Sequence, residues 1–335
     1  MKIIIDNAIP FIKDRFPEDI ETIYLPGNNF SPEIVKTADV LVIRTRTICN
    51  ESLLKDSNVK LVVSATIGTD HIDIPWCETN GITVSNAPGC NAPGVAQYVL
   101  TSLFKSGFDP ATQTLGIIGL GNVGSIVADW ARKIGIKLLI SDEPKKDAGF
   151  NDENYLPFEK VLQEADALTL HVPLARTGKY PTLHMIGEKE LQTLKPGCIL
   201  VNSSRGGVVN EMALLPLLES QRLKAIIDVW ENEPVLDRQL VDQAFIATPH
   251  IAGYSKEGKK RATFMALKKL KDVLNINVNL EGLDCSPDPS LNITKELIED
   301  SYNPLIDSKK LKAAPSEFEN LRNNYNYRHE PLFSL

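Results

Sequence analysis

The chain has 335 residues, 43% apolar and 24% charged, ordinary proportions for a globular protein with room for two or three domains. Its formal net charge of −7 argues against a nucleic-acid or membrane-surface partner. Five cysteines without metal-ligand spacing imply reduced thiols and no metal centre, and the opening Lys2-Ile-Ile-Ile reads as a strand rather than a leader, so a cytoplasmic location is expected.

Short apolar runs of strand length follow at 3–5, 23–25, 40–43, 61–65 and 83–84, with helical patterns between them such as 31–37 and 50–55. That alternation predicts a parallel sheet with crossover connections. A break at Pro88-Gly89 precedes a helical stretch over 94–104. Further strands are predicted at 138–141, 167–171, 199–202, 225–228 and 245–247, and a long helix at 256–274. Asn, Pro and Asp punctuate the remainder, which carries helical patterns at 294–300 and 316–323. The fold class expected is α/β: two doubly wound, parallel-sheet, Rossmann-like domains with a cleft between them and a small C-terminal region. The helix after residue 255 is expected to return to the first domain. The expected boundaries are 1–92 with 255–275 for a substrate-binding domain, 93–254 for a dinucleotide-binding domain, and 276–335 for the C-terminal region.

The segment Thr114-Leu-Gly-Ile-Ile-Gly-Leu-Gly-Asn-Val-Gly-Ser125 is the strongest local signal. An apolar run turns at Gly119-x-Gly121-x-x-Gly124 into a helical pattern, and a second apolar run ends at Asp142. Gly119 permits a tight turn, Gly121 lets the backbone approach a pyrophosphate, and Gly124 lets helix and sheet pack closely. The first helical residues, Asn122 and Val123, sit where backbone amides and the helix dipole hold phosphate. A carboxylate at Asp142 can accept the ribose hydroxyls of NAD. A 2′-phosphate about 5 Å away would meet roughly 3 kcal/mol of repulsion per unit charge at an effective dielectric of about 20, so NAD is expected over NADP.

Three polar residues follow successive strands of the second sheet: Arg205, Glu233 and His250. In open α/β sheets ligands bind outside the carboxyl ends of the strands, so all three are expected at one site beside the nicotinamide. An arginine fork clamps a carboxylate, and a histidine removes a hydroxyl proton while hydride leaves the adjacent carbon. A carboxylate beside the imidazole fixes its tautomer. These are the side chains that oxidation of a 2-hydroxy acid requires.

The glycine turn, Asn202-Ser-Ser-Arg-Gly-Gly-Val-Val-Asn210, Asp228-Val-Trp-Glu-Asn-Glu-Pro234 and Thr248-Pro-His-Ile-Ala-Gly253 resemble the D-isomer-specific 2-hydroxyacid dehydrogenases. The resemblance implies NAD, two domains, a homodimer and an active site of Arg205, Glu233 and His250. It further implies NAD contacts from Asp142, Val172, Ser203, Ser204, Arg205, Asp228 and Gly253, and substrate contacts from Thr45, Thr66 and Tyr254. The tail Phe318-Glu-Asn-Leu-Arg-Asn-Asn-Tyr325 resembles a C-terminal dimerisation region. The expected substrate is a small phosphorylated 2-hydroxy acid. Arg44 and Arg46, which flank Thr45, are candidates to neutralise its phosphate. Another 2-hydroxy acid is the alternative within the same chemistry. A non-enzymatic, NAD-binding corepressor-like protein is the alternative outside it.

Overall fold

Five short strands carry the first quarter of the chain: β1 (Lys2–Asp6), β2 (Glu21–Leu25), β3 (Val40–Ile43), β4 (Leu61–Ser64) and β5 (Thr83–Ser85). The computed structural model of the protein describes residues 1–285 and 292–331. The strands pair in the order β2-β1-β3-β4-β5, every neighbour parallel. Side chains alternate across a strand, so the central strands feed two separate cores. Ile3, Ile5, Val40, Val42, Leu61 and Val63 enter one, and Ile4, Leu41, Ile43 and Val62 enter the other. Burial of both faces is why these strands read as unbroken apolar runs. The helix Lys256–Leu274 supplies Ala266, Leu267 and Leu270 to the first core. One compact unit therefore comprises Met1–Asn91 and the described part of Lys256–Pro287.

The second unit comprises Ala92–Ser255 and the described part of Asp288–Leu335. Its strands are β6 (Thr114–Ile118), β7 (Lys137–Ser141), β8 (Ala167–Leu170), β9 (Ile199–Asn202), β10 (Lys224–Ile227) and β11 (Ile246–Ala247). They run parallel in the order β11-β10-β9-β8-β6-β7. From β6 the chain passes to β7 on one side and then crosses to β8 on the other. The loops leaving β6 and β8 therefore part, which makes a topological switch point and a crevice for a ligand. No helix among the described residues is long and apolar enough to cross a membrane.

The C-terminal segment corrects the expected domain plan. Residues 276–285 stay with the first unit, and residues 292–331 pack into the second rather than standing as a region of their own. The cause is apolar burial. The helix Ala92–Lys105 is buried on nearly every residue, and the helix Lys295–Ser301 helps to cover it, burying Ile298 in the same core as Tyr98 and Leu103. Leu311 and Phe318, both fully buried, join the core on the other side of the sheet with Leu240 and Ala247. The parts of the expected region at 286–291 and 332–335 lie outside the described residues.

Candidate active site

The turn after β6 has the geometry its glycines require. Gly119 sits at φ +89°, and a Cβ there would lie 2.6 Å from the His171 carbonyl oxygen. A Cβ on Gly124 would lie 2.0 Å from the Gly119 carbonyl oxygen, so the helix Asn122–Ile134 meets the turn at backbone contact. Gly121 differs, because a Cβ there would have no atom within 4 Å. Its hydrogen keeps open the space in front of the helix start, where Asn122 and Val123 stand and no side chain caps the helix. The first amides of a helix lack intrahelical partners, so this cradle suits an anion.

Asp142, just past β7, is held by two backbone amides. Oδ2 accepts from Leu120 at 2.7 Å and Oδ1 from Lys145 at 3.0 Å. The first bond fixes the carboxylate against the glycine turn, and each oxygen keeps a lone pair for a ribose hydroxyl. Lys145 turns toward Asp152 and Phe150. Across the switch point, Val172 is 3.0 Å from the position of a Gly119 Cβ, so it borders the same turn. Burial pushes the neighbouring His171 imidazole down to about 3, so it stands neutral, with Nε2 3.1 Å from the Thr169 hydroxyl.

The turn after β9 is stapled by Asn202, whose side chain is buried. Its Nδ2 donates to the Arg205 carbonyl at 3.0 Å, while Oδ1 accepts from the Ser204 amide at 3.2 Å and the Ser204 hydroxyl at 2.9 Å. This Asx-type staple shapes Ser203, Ser204 and Arg205 into one rim, and Arg205 Nη1 donates to the Ser204 carbonyl at 2.8 Å. The Ser203 hydroxyl is buried without a partner among the described residues. Gly206 then passes so close to the next loop that a Cβ would lie 1.9 Å from the Trp230 carbonyl oxygen. The Arg205 turn and the Glu233 turn are therefore in backbone contact.

Glu233 and His250 meet directly. His250 Nδ1 lies 2.8 Å from Glu233 Oε2 and 3.1 Å from Oε1, and the Trp230 amide donates to Oε1 at 3.0 Å. Burial alone would raise the Glu233 carboxyl, but the His250 bond and charge, the Trp230 amide and the Arg322 charge together hold it below the usual carboxylate range. Glu233 is thus an anion that accepts a hydrogen bond from Nδ1–H and leaves Nε2 as the basic nitrogen. His250 occupies φ +57°, a left-handed conformation rare for a residue with a Cβ. Asp228 holds that conformation. At 1% exposure its carboxylate accepts from the Thr248 hydroxyl at 2.6 Å and from the amides of Ile251 at 2.8 Å and Ala252 at 2.9 Å. Asp228 thus fastens the histidine loop. Behind these turns Glu211 accepts from the Glu231 amide at 2.8 Å. Burial, reinforced by the Glu231, Asp237 and Glu233 charges, pushes its carboxyl up to about 7 against that bond.

The C-terminal segment completes this loop. The guanidinium of Arg328 donates to Gln97 Oε1 at 2.9 Å and to the carbonyls of Gly94 at 2.9 Å, Ile251 at 3.0 Å and Ala252. It also lies 4.4 Å from the Tyr302 ring centroid. Gly253 and Tyr254 therefore lie in a loop pinned from both sides. Arg322 Nε donates to the Tyr254 hydroxyl at 3.2 Å, and the Tyr254 ring meets Tyr325 and Tyr327 edge-on, each with centroids 6.1 Å apart.

In the first unit, Thr45 is exposed two residues beyond β3. Because the strand ends at Ile43, alternation does not govern the flanking arginines. Arg44 Nε binds the buried Asp6 carboxylate at 3.0 Å, so its charge is engaged there. Thr66 lies two residues beyond β4, its hydroxyl 2.7 Å from Ser64 Oγ and 3.4 Å from the Gly68 carbonyl. Asp73 caps the helix Ile74–Thr79.

The structure thus brings together Glu233, His250, Tyr254 and Asp228, and beside them Asn202, Ser204 and Arg205, along the carboxyl ends of β9, β10 and β11. Gly119, Gly121, Gly124, Asp142 and Val172 gather at β6, β7 and β8. Sequence reasoning did not foresee that Asn202 staples its turn or that Arg322 and Arg328 bond the loop carrying Tyr254 within the same chain. Asn at a strand end before Ser-Ser signals an Asx turn, whereas nothing local marks the two arginines. No group of three His, Cys, Asp or Glu residues able to hold a metal occurs among the described residues.

Comparison with known proteins gives a consistent picture. The family described as D-isomer specific 2-hydroxyacid dehydrogenase, NAD binding domain, matches residues 97–252. The erythronate-4-phosphate dehydrogenase of Bacteroides fragilis is 43% identical, covering 98% of this chain and 97% of its own. That of Escherichia coli O157:H7 is 39% identical, covering 98% and 92%. Among solved structures, NAD+-bound 3-phosphoglycerate dehydrogenase of Entamoeba histolytica superposes with a TM-score of 0.66 at 27% identity, covering 82% of this chain and 95% of that one.

Proposed function

This chain belongs to the family of D-isomer-specific 2-hydroxyacid dehydrogenases, and on that footing we infer that it oxidises 4-phospho-D-erythronate with NAD. The product is (R)-3-hydroxy-2-oxo-4-phosphooxybutanoate, in the biosynthesis of pyridoxine. Curated relatives sharing this name match nearly the whole chain at 39–43% identity. The observation that carries the chemistry is the Glu233–His250 contact at 2.8 Å beside the Arg205 turn.

NAD, when bound in the Gly119–Gly124 cradle with its ribose at Asp142, supplies the hydride acceptor. The chain's own residues do the rest. Arg205 binds the substrate carboxylate and polarises the C2 oxygen through its planar fork. Glu233 holds the His250 ring by Nδ1, so Nε2 faces the 2-hydroxyl and takes its proton as the hydride leaves C2. Asp228 and Asn202 keep the two turns in register. Thr45, Thr66 and Tyr254 contact the substrate in this reading. NAD contacts from Val172, the Ser203–Arg205 turn, Asp228 and Gly253 belong to it too, as do a homodimer and a cytoplasmic location.

The test is NADH formation followed at 340 nm with a panel of 4-phospho-D-erythronate, 3-phosphoglycerate and D-lactate. Highest kcat/KM for the first supports the reading, and preference for either of the others replaces the substrate. Tight NAD binding without turnover of any 2-hydroxy acid favours the non-enzymatic alternative. Light scattering in solution tests the dimer.

A further inference from the structure

We propose that Arg322, on the C-terminal helix Phe318–Asn323, is a positioning residue for this reaction, balancing the Glu233 charge beside His250 and presenting the Tyr254 hydroxyl as a donor to an anionic group of the substrate. The inference rests on the dehydrogenase reading above and adds to it a residue of the C-terminal segment.

Arg322 touches both partners at once. Its Nη1 is 3.9 Å from Glu233 Oε2, and its Nε donates to the Tyr254 oxygen at 3.2 Å. The Arg322 and Glu233 side chains are each only 20% exposed, so solvent screens the pair weakly. A phenol that accepts a bond from a guanidinium still carries its own proton to donate. Tyr325 and Tyr327 flank the Tyr254 ring and hold it in place. Phe318, fully buried at the start of the same helix, anchors Arg322 from below. Arg328 fastens the segment further on to the loop carrying His250.

The charges around the Glu233–His250 pair give Arg322 a definite electrostatic task. From its own loop Glu233 faces His250 and the Trp230 amide, and from the tail it faces Arg322. Glu319 bears on Arg322 from one turn earlier, and Glu211 lies close enough behind for Glu233 to push its carboxyl up. Acidic groups therefore crowd this corner, and Arg322 is the cation that offsets them besides the imidazole itself. Without it, Glu233 would favour the imidazolium form, and the base would become available only at higher pH.

The experiment uses the full chain with 4-phospho-D-erythronate and NAD, comparing wild type with Arg322→Met, Arg322→Lys, Tyr254→Phe and the Arg322→Met/Tyr254→Phe pair across the pH range. For Arg322→Met the ascending limb of kcat/KM should move to higher pH by about half a unit or more, with KM raised as in Tyr254→Phe. Arg322→Lys keeps the charge and loses the fork, so it should restore the limb while KM stays raised. The paired variant should raise KM no further than Tyr254→Phe alone, because one interaction is being removed twice. If Arg322→Met does not fold, the lysine and phenylalanine variants decide by the same two readouts. An unmoved limb, or additive KM effects, overturns the proposal even if stability falls. Wild type that fails to turn over this substrate overturns the substrate reading and the inference with it, whereas active wild type with indifferent variants removes the inference alone.

Discussion

Gly121→Ala separates cofactor binding from folding. The position has φ −75° and ψ −156°, ordinary extended backbone, and a Cβ there would meet nothing within 4 Å. The folded chain should therefore accept alanine at a cost near zero, or gain about 0.4–1 kcal/mol from a stiffer unfolded state. The methyl would project into the space where the pyrophosphate approaches the turn. Loss of at least about tenfold in NAD affinity, roughly 1.4 kcal/mol, is expected. Gly124→Ala is the control, since its Cβ would lie 2.0 Å from the Gly119 carbonyl oxygen and something must move. Overpacking of that kind costs about 1–3 kcal/mol. Thermal unfolding reads both quantities. NAD at about a hundred times its Kd stabilises by about 2.7 kcal/mol, or some 5–10 °C for a unit of about 200 residues. Gly121→Ala should keep the wild-type midpoint without NAD and lose about half of the NAD shift or more, whereas Gly124→Ala should lower the midpoint outright. An alanine at 121 that binds NAD as tightly as wild type would refute the placement of the phosphates at this turn.

Other substitutions probe the remaining parts. Asp142→Asn removes the charge and keeps an acceptor for only one of the Leu120 and Lys145 amides, so the NAD-to-NADP ratio of kcat/KM should fall by about tenfold or more, with some loss in melting from the amide left facing Nδ2. His250→Asn retains a side chain tolerant of φ +57° and removes the base, so turnover should drop by at least about a hundredfold with NAD affinity unchanged, as read by titration calorimetry. Oxidation consumes the neutral imidazole, so wild-type kcat/KM should rise toward alkaline pH; a flat profile with chemistry rate-limiting contradicts the assignment. Glu211 is held at about 7 in the fold, above its unfolded value of 4.5, so it destabilises increasingly as pH rises between those values and fully above them. Glu211→Gln, which still accepts from the Glu231 amide, should therefore stabilise the protein at pH near 8 by on the order of 2 kcal/mol and near pH 4 hardly at all.

The sheets were legible because both faces of every central strand are buried. The apolar run at 40–43 is β3 without change, as 199–202 is β9, since nothing polar interrupts a strand sandwiched between two cores. The glycine turn was legible for a different reason, that each glycine answers a separate steric demand visible in spacing alone. His250 and Glu233 could be named as a pair but not the backbone that joins them, because the left-handed conformation at His250 depends on Asp228 binding the amides of 251 and 252 from another loop. The bonds from Asp228 to that loop were not legible, because a motif carries no information about where a carboxylate spends its lone pairs.

The tail shows where sequence reasoning runs out, and why. Its residues 304–313 form the helix Pro304–Ala313, whose apolar and polar positions do not separate to two sides, so periodicity gives no signal there. Arg328 and Arg322 act across separations of 68–77 residues, on a loop whose own sequence does not mention them. The segment buries Ile298, Leu311 and Phe318 in the cores of the second unit and holds the histidine loop from outside. Two arginines that no local pattern in this sequence distinguishes from surface charges thus bond the loop that carries His250 and Tyr254. Their contribution becomes visible only when burial and hydrogen-bond partners are counted, since a guanidinium wrapped by four backbone carbonyls has left solvent and is held by what it fastens.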